Sequence, residues 1–256
     1  MLESNVTLIT IALSVVSFLA GFIDSIAGGG GLLMLPALLF AGFPPQTALG
    51  TNKFASVFGM SVATFNFARN KMIVWKIVFL GVIFSLLGAS VGSKAILFFT
   101  NETVGKIIVF LLPVAMVVTL APKKERGLTK EISANDLYIK VPLIACAIGF
   151  YDGFFGPGTG SFLILAFYLL LGLNLVEASG TAKVFNLASG IGALTVFLLG
   201  GKVLFLLGLP LAAANIAGSY LGSSLAIKKG SAVIKVFLIV SLSILFVSLV
   251  SKYFLT

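Results

Sequence analysis

Long apolar runs, separated by short polar or glycine-rich stretches, follow one another along the whole chain. The runs and their breakers predict ten segments, read as helices because an open sheet cannot satisfy its backbone hydrogen bonds in lipid. Two of the ten are short and are bounded by Gly or Pro. The predicted segments are Asn5–Ile23, Leu32–Gly42, Gln46–Arg69, Val74–Phe99, Thr103–Ala121, Leu137–Phe155, Gly160–Gly172, Leu175–Leu199, Val203–Ile227 and Ser231–Phe254.

The composition agrees with burial in a membrane. Hydrophobic residues make up 59% of the chain and charged residues 10%, whereas a soluble domain has about 25% charged residues. Too few polar side chains are present to cover a water-facing surface, and most runs reach the roughly 20 residues that cross a bilayer. The sequence therefore predicts an all-α, multi-pass integral membrane protein.

The net charge of +9 suggests a nucleic-acid partner in a soluble protein, but here the basic residues lie in short loops. Lys123, Lys124 and Arg126 are examples, and this pattern is typical of cytoplasmic loops that contact acidic lipid head groups. Membrane lipids, and no nucleic acid, are the expected partners. The first Lys or Arg is Lys53, so the basic region of a signal peptide is missing and the first run is expected to stay as a membrane segment.

The sequence indicates an internal duplication of the chain. Residues 1–121 and 137–256 form two membrane repeats, joined by a cytoplasmic hydrophilic loop at 122–136. The match keeps its register through each repeat, with one shift of two residues after the glycine stretch. Gly21, Phe22, Asp24, Gly28 and Gly30 recur as Gly149, Phe150, Asp152, Gly156 and Gly158, and Ala48, Gly50, Thr51 and Lys53 recur as Ala178, Gly180, Thr181 and Lys183.

The two short segments decide whether the repeats are parallel or inverted. If each is a re-entrant loop, a repeat crosses four times; if each is a crossing, it crosses five times and the repeats are inverted. Five crossings place the basic loops at 69–76, 123–140 and 228–235 on the cytoplasmic side and both termini outside. The sequence therefore predicts about ten membrane segments in two inverted repeats, as in many secondary transporters.

Two glycine-rich breaks are the first candidates for a binding site. Matching interrupted segments in two repeats are the best sequence pointer to a transport site, and a helix that restarts after a break offers free N–H groups and a positive dipole end to an anion. Close helix–helix contact is the alternative explanation for the glycines. The candidate substrate-binding residues are Gly28, Gly29, Gly30 and Gly31 in the first repeat and Gly156, Gly158, Thr159 and Gly160 in the second.

Lys53 and Lys183 occupy matching positions inside long apolar segments. An ionisable residue within the membrane is a functional candidate, and a pair of lysines suits an anionic substrate. Snorkelling to the interface is the alternative. Neutral hydrogen bonds to the same anion are expected from Thr51, Asn52, Thr181 and Asn186.

Asp24 and Asp152 precede the two breaks. Each is a candidate to cap a restarting helix, to pair with a lysine or to carry a proton, and the sequence does not separate these roles. The chain has no histidine and one cysteine, which excludes a Ser-His-Asp triad and an H-E-x-x-H zinc site. We expect no catalytic residue, no metal site and no cofactor, and hence no enzyme.

The chain resembles the sulfite exporter TauE/SafE family, also called TSUP. The first half carries the resemblance through the glycine-rich break, Leu33-x-x-Pro36-x-Leu-Leu, Gly42-x-x-Pro45, Ala48-x-Gly50-Thr51-Asn52 and a basic loop after Arg69. The second half adds the stretch 149–160 and Gly180-Thr181-x-Lys183. It departs from the first half by a Gly-Pro-Gly-Thr-Gly break and by Ala182 in place of Asn52.

The resemblance implies a transporter in the plasma membrane of a prokaryote, with sulfur-containing anions such as sulfite, thiosulfate or organosulfonates as substrates. It brings no catalytic residues. The leading hypothesis is alternating-access transport of a small anion; an anion-selective channel and a non-transporting membrane subunit are the alternatives. The exact substrate, the direction of transport, the coupling ion and a possible homo-oligomer stay open.

Overall fold

A computed structural model describes residues 2–120, 132–230, 232, 233 and 236. Every regular element within these residues is helical. A π-helical turn, Asp136–Lys140, leads directly into the sixth helix. The helices are α1 Leu2–Ala27, α2 Gly31–Phe40, α3 Pro45–Arg69, α4 Trp75–Leu97, α5 Asn101–Leu120, α6 Val141–Phe154, α7 Thr159–Leu170, α8 Leu175–Leu199 and α9 Phe205–Lys229.

These nine helices match the first nine predicted segments, with small differences at the ends. The clearest difference is in α1, which was predicted to end before Asp24 but continues to Ala27. Gly28 (φ +80°) makes the turn instead, in a left-handed conformation that favours glycine. The tenth segment, Ser231–Phe254, lies largely outside the described residues, as does most of the loop at 122–136.

Five helical stretches within the described residues are long and apolar enough to cross a membrane: Thr7–Ala27, Trp75–Leu97, Asp136–Phe154, Leu175–Leu199 and Phe205–Lys229. Large apolar side chains cover their outer faces; Phe79 is 78% exposed and Leu206 is 91% exposed. Such an apolar surface is stable in contact with lipid and not with water. The chain is therefore an all-α, multi-pass membrane protein.

The two short helices, α2 and α7, have 10 and 12 residues. At 1.5 Å per residue they are about 15 and 18 Å long, about half of a 30 Å hydrocarbon core. If these two helices cross the membrane, each repeat has five crossings; if they are re-entrant, each repeat has four. The total of ten and the inversion of the repeats stay predictions.

The two halves of the chain pack against each other through small residues. Helix α4 packs on α6, and α1 packs on α9. Gly88 leaves no room for a Cβ against the backbone of Cys146, and Gly218 leaves none against the backbone of Phe18. Close approach of glycine-bearing helices is common in membranes, and here each contact joins a helix of the first half to a helix of the second.

A second set of contacts between the halves also comes as a pair. Helix α3 packs on α9, and its counterpart α8 packs on α4. The backbone N–H of Leu204 donates to Thr51 Oγ1 at 3.1 Å, and that of Val74 donates to Thr181 Oγ1 at 3.0 Å. Each residue of one bond is the duplicated counterpart of a residue of the other, so the contacts repeat as the sequence does.

Candidate functional site

The two glycine-rich breaks touch each other. Gly28 follows α1 and Gly160 belongs to the first turn of α7; a Cβ on Gly160 would lie only 2.5 Å from the Cα of Gly28. The Ser161 N–H donates to the carbonyl of Gly28 at 3.3 Å, and the Ser161 hydroxyl donates to the carbonyl of Ala27 at 2.7 Å. Glycine is required here because the two backbones meet directly.

A cavity opens beside this contact and holds about 430 Å³ of empty space, its mouth included. Both halves of the chain contribute to its wall. The walls combine glycine backbone, neutral amides and hydroxyls, and charged side chains. The lining residues are Ala20, Asp24, Gly28, Gly30, Gly31, Asn52, Lys53, Ser56, Met60, Asp152, Gly156, Gly158, Thr159, Gly160, Asn186 and Asn215.

An ion pair joins the two halves at the cavity wall. Lys53 Nζ on α3 lies 2.6 Å from Asp152 Oδ1 on α6, and the two side chains are 5% and 2% exposed. The Ser189 hydroxyl donates to the other carboxylate oxygen of Asp152 at 2.7 Å. Two buried charges are stable only when paired and hydrogen-bonded, so Asp152 neutralises Lys53 in this arrangement.

The duplicated counterparts make a different contact. Lys183 donates from Nζ to the backbone carbonyl of Asp24, and the Asp24 carboxylate accepts the N–H of Gly30 at 3.1 Å. Asp24 therefore caps the start of α2, whereas Asp152 pairs with a lysine. Capping and pairing, two of the three roles left open by the sequence, each correspond to a contact in this arrangement.

The N-terminus of α7 lies at the cavity wall. Gly158 has φ +86°, and the N–H groups of Gly158 and Gly160 donate to no other described residue. Tyr151 holds the break in place by donating from its hydroxyl to the carbonyl of Pro157 at 2.6 Å. Lys53 Nζ lies close enough to Gly156 that a Cβ there would be 3.2 Å away. A cation and a helix N-terminus, both attractive to an anion, thus converge.

Asn186 adds a neutral polar group to the same wall. The residue is 3% exposed, and its side-chain oxygen has no hydrogen-bond partner in the described part of the chain. A Cβ on Gly160 would lie 3.4 Å from its amide nitrogen. A buried polar atom without a partner costs about 1–3 kcal/mol, so a ligand or water in the cavity is favoured.

Four of the predicted binding residues do not line the cavity. The hydroxyls of Thr51 and Thr181 accept backbone N–H groups that follow α8 and α3, Lys183 is fully buried against Asp24, and Gly29 lies outside the lining. Tertiary packing places these four residues away from the cavity wall, and the sequence pattern does not predict that packing.

Ser56, Met60 and Asn215 line the cavity but were not predicted. Ser56 matches Asn186 at the spacing that relates Lys53 to Lys183, so the duplication could have revealed it. Met60 and Asn215 are not distinguishable from other helix residues by their spacing. In the described part of the chain, no three His, Cys, Asp or Glu residues are grouped closely enough to hold a metal ion.

Comparison with known proteins supports a transport role for the surrounding fold. Residues 13–249 match the family described as sulfite exporter TauE/SafE. A probable membrane transporter protein, ORF9, of Sinorhizobium sp is 38% identical over 228 residues, covering 89% of this chain and 87% of the relative.

Two further relatives are similar to the same extent. A probable membrane transporter protein of Haemophilus influenzae is 38% identical over 221 residues, with 86% of each chain covered. The probable membrane transporter protein YfcA of Escherichia coli K12 is 38% identical over 228 residues, covering 88% of this chain and 83% of the relative. No solved structure matches the chain. The chain belongs to the sulfite exporter TauE/SafE family of membrane transporters.

Proposed function

We propose that this protein is a secondary transporter that carries a small anion by alternating access between two inverted repeats. The observation that carries the proposal is the position of Lys53. Its ammonium lies at a cavity between the halves, beside the N-terminus of α7 and the side-chain amide nitrogen of Asn186. These groups supply a positive charge, free N–H donors and a neutral hydrogen-bonding group to one small space.

The pairing of contacts between the halves supports the repeat architecture. Lys53 contacts Asp152, and its counterpart Lys183 contacts Asp24. Thr51 and Thr181 accept equivalent backbone N–H groups. A site at the interface of duplicated halves, next to interrupted helices, is the arrangement of many secondary transporters. In this proposal residues 1–121 and 137–256 move against each other around the cavity.

The substrate class follows from the chemistry of the wall and from the family. One lysine and a few backbone N–H groups suit a compact oxyanion better than a large organic molecule. The family is described as sulfite exporters, so sulfite, thiosulfate and small organosulfonates are the proposed substrates. The plasma membrane of a prokaryote is the proposed location.

Binding is tested first on the purified protein. Its melting temperature in detergent is measured with sulfite, thiosulfate, methanesulfonate, acetate and chloride at equal ionic strength. A ligand that binds only the folded state raises the melting temperature, and at equal concentration the ligand with the higher affinity raises it more. We expect stabilisation by the sulfur oxyanions above that by acetate or chloride; equal effects of all five would contradict the proposal.

Transport is tested in proteoliposomes with labelled thiosulfate. A carrier shows uptake that saturates with substrate and is accelerated by unlabelled thiosulfate inside. Conductance near diffusive rates without counterflow would favour a channel, and no flux together with a tightly bound partner protein would favour a non-transporting subunit.

A further inference from the structure

The cavity has no spare positive charge to attract an anion. Lys53 is already neutralised by Asp152, and the second cavity-lining carboxylate, Asp24, lies against the buried Lys183. The charges of these four side chains therefore sum to zero. An anion that enters leaves a net negative charge in a buried place, which is costly unless another positive charge enters with it.

We propose that Asp152 binds a proton when the anion binds, so that anion and proton occupy the cavity together. This inference rests on the proposed function and adds the coupling ion to it. The anion takes the place of the Asp152 carboxylate at the Lys53 ammonium. Lys53 keeps its charge and all of its protons, one proton passes from water to Asp152, and no covalent bond to the anion forms.

Ser189 allows Asp152 to be satisfied in both protonation states. Its hydroxyl oxygen lies 2.7 Å from Asp152 Oδ2 and 3.1 Å from the carbonyl oxygen of Asn186. With Asp152 ionised, the hydroxyl donates to the carboxylate. With Asp152 protonated, the acid donates to Ser189, and Ser189 turns its own proton to the carbonyl of Asn186. A hydroxyl is both donor and acceptor, so Oδ2 of Asp152 has Ser189 as its partner in both states.

Asp24 does not have this freedom. Its carboxylate accepts a backbone N–H, that of Gly30, and a backbone amide can only donate. A proton placed on that carboxylate oxygen would face another donor, with no change of partner open to the amide. The two counterparts thus differ in their partners, and the difference assigns the proton to Asp152.

The other groups around Asp152 do not replace it as the proton acceptor. Helix α4 presents Ala89 to this part of α6, and α7 presents Thr159, and neither titrates. The charged groups that remain are Lys53 on α3, Lys183 on α8 and Asp24 on α1. Tyr151 is the one titratable neighbour on α6 and donates to a backbone carbonyl.

The test measures protons taken up per anion bound, on the full-length protein in detergent. Thiosulfate and methanesulfonate are the probes because neither carries a proton of its own near neutral pH. Calorimetric titration at one pH in two buffers of different ionisation enthalpy gives the proton number. We expect about one proton per anion for the wild type, with potassium and choline salts giving the same value.

Variants identify the proton-binding group. Asp152→Asn is expected to bind the anion with a proton number near zero, because its amide cannot take up the proton. Glu102→Gln, which removes an exposed carboxylate that does not line the cavity, keeps the wild-type number. Ser189→Ala, which removes the switching hydroxyl, shifts the pH range of proton uptake.

The outcomes separate this inference from the function on which it rests. If the wild type binds neither probe, both the proposed function and the inference are overturned. If it binds a probe without proton uptake, only the inference is overturned. Anion binding that requires sodium and takes up no proton also overturns only the inference. If Asp24→Asn, and not Asp152→Asn, abolishes proton uptake, the assignment to Asp152 is overturned.

Discussion

Lys53 and Asp152 lie in different halves of the chain, yet their charged atoms are 2.6 Å apart and almost fully buried. A buried pair of this kind contributes little net stability, although loss of one partner alone costs about 3–5 kcal/mol. Stability therefore does not explain why this pair is buried. Its position at a cavity between the duplicated halves agrees with the binding role proposed above.

The first prediction separates binding from folding at this pair. Lys53→Met should lower the melting temperature, because Asp152 is left unpaired, and should weaken thiosulfate binding about ten- to a hundredfold through loss of a charge-assisted hydrogen bond worth about 1.5–3 kcal/mol. The double variant Lys53→Met with Asp152→Asn removes both charges. It should regain thermal stability without regaining affinity.

Lys183→Met is the matched control for that prediction. Lys183 bonds to a carbonyl behind the cavity wall, so its loss should lower stability while the folded protein keeps most of its affinity. Equal losses of affinity in Lys53→Met and Lys183→Met would place both lysines at the anion. Unchanged affinity in both would remove the lysines from the site.

The second prediction concerns Asn186, whose buried side-chain oxygen has no partner among the described residues. Asn186→Leu removes an unsatisfied polar group, so thermal stability should stay the same or increase. Anion affinity should fall about two- to tenfold, because the side-chain N–H beside Gly160 is lost as a donor, a hydrogen bond worth about 0.5–1.5 kcal/mol.

Asn215→Leu provides the comparison for Asn186→Leu. The Asn215 amide donates to the carbonyl of Ser17 at 3.0 Å in a buried contact between α9 and α1. Its loss removes a buried side-chain hydrogen bond between these helices and should cost about 0.5–1.5 kcal/mol of stability. If Asn186→Leu lowers the melting temperature as much as Asn215→Leu does, Asn186 is a packing residue.

The third prediction compares two glycines with similar backbone geometry. Gly28 and Gly42 have φ of +80° and +86°, so alanine is strained at both by about 1–2 kcal/mol. A Cβ at Gly42 meets open space, whereas one at Gly28 meets the backbone of Gly160 and Ser161. Gly28→Ala should therefore abolish anion binding and lower the melting temperature much more than Gly42→Ala. Similar effects of the two substitutions would show that backbone strain alone makes Gly28 necessary.

The helices and the two glycine breaks could be predicted from the sequence because both depend on local patterns. The predicted segment Leu175–Leu199 agrees with α8 at both ends. Its N-terminus is fixed locally by the capping box of Asn174 and Glu177. The pairing of Lys53 with Asp152 in preference to Asp24 was not predictable, because it depends on how α3 and α6 approach each other. The same limit applies to Thr51, whose hydroxyl is used by the backbone of Leu204.

The last prediction tests the inversion of the repeats, using two residues that match in the duplication. Lys71 follows α3 and Gly201 follows α8 at the same spacing that relates Lys53 to Lys183. Both are exposed and have left-handed backbone conformations, with φ of +57° and +64°. In inverted repeats these turns lie on opposite sides of the membrane, with Lys71 in the cytoplasm; in parallel repeats they lie on the same side.

Lys71→Cys and Gly201→Cys, each in a Cys146→Ala background, are labelled with a membrane-impermeant maleimide in whole cells and in inverted vesicles. We expect Gly201→Cys to react in cells and Lys71→Cys in inverted vesicles. Reaction of both in the same preparation would mean four crossings per repeat, with α2 and α7 as re-entrant helices, and would exclude alternating access by inverted halves.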